Sequence, residues 1–303
     1  MSRTTDAIRA YHDNPDTIVA AGEVVDIRFK EGDQLSLRAA KVFHLLVQAA
    51  GVDIVENRTH RITLAELNET FRLTIAELEE VIAELHSTTV SLKLTGDAGR
   101  DYVKSGPILS DVEREREDLP QAEIRFEFSK TVQVAVADST HWTILSRRAV
   151  LAFESKYSLR LYTLLSLRAG LRKTSEVFEL HDLRRLLGIA PSIYPNWANF
   201  AQRVLKPTTK EINHIGGFVV GFTPLKIGRK IVAVRLTWSR KSREEQEAAL
   251  RELETSRVGR KVRRDDAAVY IAKAELTTRQ AIAYALSTTT GPGPVSGSSR
   301  KQR

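Results

Sequence analysis

The sequence of 303 residues predicts an α+β protein, two tandem winged helix-turn-helix domains followed by a basic, partly disordered C-terminal tail. Three observations predict it: an internal repeat, a lopsided charge distribution, and a basic helix followed by a two-stranded hairpin over residues 196–238. The repeat aligns KVFHLLVQAAG (41–51) with RLYTLLSLRAG (160–170), two amphipathic helices that end at glycine. A short helix follows in each copy, where ITLAELNETF (62–71) matches FELHDLRRLL (178–187). A second helix comes next, at 74–87 and at 196–213, and then strands at 90–94 and 124–128 in the first copy and 217–222 and 231–238 in the second. Helix, helix, turn, helix, hairpin is the winged helix, here present twice.

The copies differ in charge. Residues 1–140 carry 16 Lys+Arg against 25 Asp+Glu, a net of −9, whereas 141–303 carry 30 against 13, a net of +17. A basic half attracts a polyanion and gains affinity by releasing its counterions. The acidic half suits protein contact. No apolar stretch is long enough to span a bilayer, so a soluble cytoplasmic protein with no membrane partner is expected. The absence of cysteine rules out disulfides and thiolate metal sites and suits a reducing compartment.

In the second copy the periodic residues Phe200, Val204, Leu205, Thr208 and Ile212 form the buried stripe, which turns Asn199, Gln202, Arg203, Lys206 and Lys210 outward. Asn196 is the expected N-cap. Asn and Gln pair with adenine and Arg with guanine, so Asn199, Gln202 and Arg203 are assigned to bases. Lys206 and Lys210, at and beyond the Pro207 kink, are assigned to phosphates. The hairpin adds Lys226, Arg229 and Lys230 beside the backbone or minor groove. The corresponding helix of the first copy carries Glu77, Glu79, Glu80 and Glu84 with no Lys or Arg, which makes it a poor reading head. Limited contact there falls to Arg58, Arg61 or Lys93. Its wing carries a long polar insert, 95–121, expected as a mobile loop.

No enzyme is expected. The seven histidines lack HxH or HExxH spacing, no Walker A loop or Gly-rich dinucleotide motif occurs, and no cofactor is implied.

Ser155-Lys-Tyr-Ser-Leu-Arg-Leu-Tyr-Thr-Leu-Leu165 resembles the SKY..RLYELL segment of iteron-binding plasmid replication initiators. FAQRVLKPTTKEIN (200–213) resembles their F..RVL.PA..EIN stretch, and IGRKIVAVRLT (227–237) resembles the K.GR.V..L.F that follows. The resemblance implies monomers on direct repeats at a plasmid origin, opening the duplex and helping to load the host initiator and helicase machinery. It also implies dimers, joined through the first domain, that repress the initiator's own gene. A winged-helix transcriptional repressor is the alternative. Expected boundaries are a loose N-terminal arm 1–34, a first winged helix 35–140 for assembly, a second 141–240 for reading DNA, and a tail 241–303. A single long helix at 149–169 is expected to join the two readers over a footprint of about 20 bp. In the tail, helices are expected to about 256 and over 265–287, a basic block at 257–264, and a Gly/Pro/Ser-rich disordered end.

Overall fold

A computed structural model describes residues 2–25, 28–29, 34–68, 73–95, 101–116, 119–170 and 173–267. Residues 1–255 form one compact unit and 256–303 a second. The expected helix at 265–287 and the Gly/Pro/Ser-rich end fall almost entirely outside the described residues. Among those described, no helix is long and apolar enough to cross a membrane.

The N-terminal segment expected as a loose arm is part of the core. Helix α1 (Arg3–Tyr11) is capped by Ser2 and buries Ala7 and Ile8. Strand β1 (Thr17–Ala21) follows, then one helical turn, α2 (Gly22–Val25), and the short β2 (Arg28–Phe29). The unbroken apolar run at 18–21 has a partner far along the chain, which a reading of neighbouring residues misses.

Helix α3 (Leu37–Ala50) starts at Ser36, whose Oγ accepts from Ala39 N at 3.1 Å, and stops at Gly51 with φ +56, a conformation that favours glycine. β3 (His60–Thr63), α4 (Leu64–Asn68) and α5 (Ile75–Ser87) complete the first helix-turn-helix. β4 (Thr89–Thr95), β5 (Asp101–Pro107), β6 (Leu109–Arg114), β7 (Glu123–Phe128) and α6 (Lys130–Ala137) follow. The first wing differs from expectation. β4 pairs with β2 and β5, and β7 with β3 and β6, so the strands at 90–94 and 124–128 lie in separate sheets. Much of the insert expected as a mobile loop is therefore strand. Its anchor is Ile108-Leu109, both fully buried, with Ile108 O accepting from Ser129 N at 3.1 Å and Pro107 O from Ser129 Oγ at 2.6 Å.

The second domain runs through β8 (Trp142–Ser146), α7 (Arg147–Ala152), α8 (Lys156–Gly170), β9 (Ser175–Glu179) and α9 (Leu180–Leu186). The reading helix follows as α10 (Trp197–Phe200), a π-turn (Ala201–Leu205) and α11 (Lys206–Ile215). The wing strands are β10 (Phe218–Ile227) and β11 (Lys230–Arg240), and the sheet order is β10-β11-β9. The single joining helix expected at 149–169 is broken. Phe153 turns extended at ψ 136 to bury its ring 5.1 Å from Tyr162, and Glu211 Oε1 accepts from Glu154 N at 2.6 Å across the break. Helix α12 (Arg243–Glu254) packs against α7 and α11, with Glu254 on Arg148 at 3.1 Å and Glu252 3.5 Å from His214.

The two cores meet at β1, which pairs antiparallel with β8. Val19 and Ala21 enter the first core, Ile18 and Ala20 the second. Nearby, Lys41 Nζ donates to Leu151 O at 2.8 Å, and Arg160 donates to Val25 O at 2.7 Å and Leu186 O at 3.0 Å.

His44 lies at this seam, buried with Nδ1 unpartnered among the described residues. Burial, and then the nearby Arg160 guanidinium, hold its imidazole at about 4 instead of 6.5. The unfolded chain therefore takes up the proton first, so this contribution is complete above pH 6.5 and is lost as pH falls towards 4. The protein is expected to lose roughly 3 kcal/mol over that window through this group. Thermal melts of His44→Leu should show a flatter pH dependence there than wild type; parallel curves would remove His44 as the cause.

Candidate nucleic-acid interface

The reading helix is set up by the turn before it. Arg184 on α9 donates to the carbonyls of Tyr194 and Ile193 and, at 3.5 Å, to that of Pro191, and its guanidinium lies 5.5 Å from the Phe200 ring centre. Tyr194 sits at φ +51 within this stitched turn. Asn196 then caps the helix, its Oδ1 accepting from Asn199 N at 2.9 Å.

Pro207 shapes the middle of the helix. A proline has no N–H and its ring collides with the carbonyl four residues earlier, so an α-helix cannot run straight through it. Here the backbone opens into the π-turn 201–205, in which Lys206 N reaches back five residues to Ala201 O. Phe200, Val204, Leu205 and Ile212 are fully buried behind it. At the far end, the Asn213 side chain accepts from Val220 N at 2.6 Å and donates to Val220 O at 3.0 Å, tying helix to wing. Trp197 reinforces that tie, its ring 6.4 Å from Phe222.

The wing narrows to a two-residue tip, Gly228-Arg229, with Ile227 opposite Lys230. Gly228 has φ +60 and Arg229 a negative φ, the pattern of a type II′ hairpin turn with glycine first. Lys226 and Lys230 thus lie in the strands and Arg229 at the tip.

All nine residues assigned from sequence are exposed: Asn196, Asn199, Gln202, Arg203, Lys206 and Lys210 on the helix, and Lys226, Arg229 and Lys230 on the wing. Among the described residues, Arg203, Lys226, Arg229 and Lys230 have no carboxylate partner. Lys206 Nζ donates to Gln202 Oε1 at 3.1 Å. Sequence reasoning missed Arg184, Glu211 and Asn213, which hold the helix by bonding main-chain groups and leave no periodic signature.

The first domain is arranged differently. Its acidic helix α5 engages its carboxylates internally: Glu77 pairs with Arg38 at 2.7 Å and completes a capping box with Thr74, Glu79 meets Arg114 at 3.2 Å, and Glu84 accepts from Ser36 N. Glu80 stays exposed. The cations suggested for DNA contact are also engaged, Arg58 with Asp53 at 2.8 Å and Arg61 with Glu123 at 3.7 Å. The Lys93 side chain lies outside the described residues.

Residues 17–166 match the family model "Initiator Replication protein, WH1" and residues 179–238 match "Initiator Rep protein, WH2". The chain belongs to the initiator Rep protein family. No curated protein matches this initiator Rep chain. Among solved structures, the crystal structure of Pi initiator protein in complex with iteron DNA aligns with 76% of this chain and 99% of its own, at a TM-score of 0.58 and 20% identity. That likeness is one of fold. The first of the Rep motifs, at 155–165, is largely internal: Leu161, Leu164 and Leu165 are core, and Tyr162 stacks on Phe218 at 5.4 Å and accepts from Ser146 N at 3.2 Å.

Arg203→Ala is expected to weaken binding to the preferred duplex by about 1–3 kcal/mol and to spare random DNA. Lys230→Ala should weaken both alike and lower the salt slope by about 0.9. Fluorescence anisotropy titrations over a salt series separate the two, and matching behaviour of both variants would sink the division. Asn213→Ala, which strands two Val220 main-chain groups, should cost about 1–3 kcal/mol in denaturant unfolding.

Proposed function

We propose that this initiator Rep protein binds direct repeats at a plasmid origin through the face formed by its second reading helix and wing, and so starts replication. The observation that carries this reading is the set of outward cations on Arg203, Lys226, Arg229 and Lys230, left without acid partners beside a helix that presents Asn and Gln. A duplex supplies both matching surfaces, phosphates for the amines and base edges for the amides. The Pi initiator of similar fold was solved with iteron DNA, which supports the same class of target here.

In this reading the chain catalyses no reaction of its own. Opening the duplex draws on binding energy and DNA deformation, and ATP-driven steps belong to the host initiator and helicase machinery. We extend the proposal to a dimer, joined through the first domain in the cytoplasm, that binds an inverted repeat and represses the initiator's own gene.

A plasmid carrying this gene with its flanking DNA should establish in a suitable host, and the triple variant Arg203→Ala/Lys226→Ala/Lys230→Ala should not. Failure of the wild-type plasmid to establish, with repression of a promoter reporter intact, would convert the reading to that of a repressor.

A further inference from the structure

The two repeat-related helices α3 and α8 share a cavity. Residues equivalent in the repeat line it in pairs, Ala40 with Leu159 and His44 with Thr163. The cavity measures about 60 Å³, room for about four to six water-sized groups. Its walls are mainly apolar, with Phe43, Leu159 and Leu187 among them. None of the nine residues on the candidate DNA face takes part.

Two of the polar groups in this lining are unmet. His44 is only 8% exposed, and neither ring nitrogen has a hydrogen-bond partner among the described residues. A buried polar group left without a partner is destabilising, so the imidazole calls for one inside the cavity. Burial keeps the ring neutral at neutral pH, where it offers one N–H. Lys156 is half-buried, its ammonium 5.6 Å from the Tyr157 ring centre and without a carboxylate partner among the described residues. Arg160 adds a second positive charge, although its guanidinium already donates to Val25 O and Leu186 O. Both cations come from the first turns of α8, where the helix dipole is positive, and no Asp or Glu lines the cavity.

Such surroundings select a small anion. A phosphate would carry more oxygens into apolar walls than these two groups can meet. A monocarboxylate has one charge and two oxygens, which match the Lys156 ammonium and the His44 N–H, and its hydrocarbon end suits the apolar side.

We propose that the cavity between α3 and α8 binds a short-chain aliphatic monocarboxylate, held by Lys156 and His44 with its hydrocarbon end against Phe43, Leu159 and Leu187. His44 belongs to the first winged helix and Lys156 to the second. The bound anion therefore ties the two domains together at their seam.

Titration of the full-length protein with propionate at neutral pH, against chloride at equal ionic strength, tests this site. The ring signals of His44 in NMR spectra should shift and saturate, with half-saturation at about 1 mM or below, and the melting temperature should rise with propionate concentration. Pivalate, whose branched end is too bulky, and propylammonium, whose charge is opposite, should do neither. Lys156→Gln should weaken propionate binding by about tenfold or more, and His44→Leu should weaken it as well, with melts in chloride confirming that each variant folds. No saturable shift of His44 in wild type, an equal response to pivalate or propylammonium, or undiminished affinity in Lys156→Gln overturns the proposal.

Discussion

The whole arrangement depends on β1, five residues whose two faces belong to two different cores. Successive side chains of a strand point to opposite sides, so Ile18 and Ala20 complete the second domain while Val19 and Ala21 complete the first. Pairing with β8 holds the strand in register, and a slip of one residue would exchange both faces at once. Asp16 secures the end: its carboxylate accepts from Arg148 N at 2.8 Å and Ser146 Oγ at 3.0 Å, where the start of α7 favours negative charge. The two winged helices thereby share a wall, and the reading helix is carried on a frame that the other domain helps to build.

Electrostatics divides the labour between the two copies. In the first, α5 commits Glu77, Glu79 and Glu84 to Arg38, Arg114 and the main chain of Ser36, so the acidic sequence serves internal assembly as well as discouraging phosphate. In the second, the cations of the helix and wing face water. Release of a polyanion's counterions when these cations meet its phosphates is the gain held in reserve for binding.

Much of the candidate site was legible because its signals are local. Apolar spacing identified the buried side of the reading helix and Asn196 its start. Other features were illegible for equally physical reasons. Ile108-Leu109 hides two apolar residues in a polar stretch, yet it anchors the strands that replaced an expected mobile loop. The break after Ala152 rests on the burial of Phe153 against Tyr162 and a carboxylate arriving from Glu211, far along the chain.

The sequence by itself determined the helices of each reading unit, the duplication, the polarity of charge and the chemical types on the reading face, since helix period and capping involve residues a few positions apart. Tertiary structure alone decided which strands pair in the first wing, that β1 is shared between two cores, and which cations are spent on carboxylates. It also decided that Pro207 is absorbed by a π-turn, because Phe200, Val204 and Ile212 must all reach one core while the helix passes a residue with no N–H. These outcomes compare contacts between residues far apart in the chain, a comparison that no local window contains.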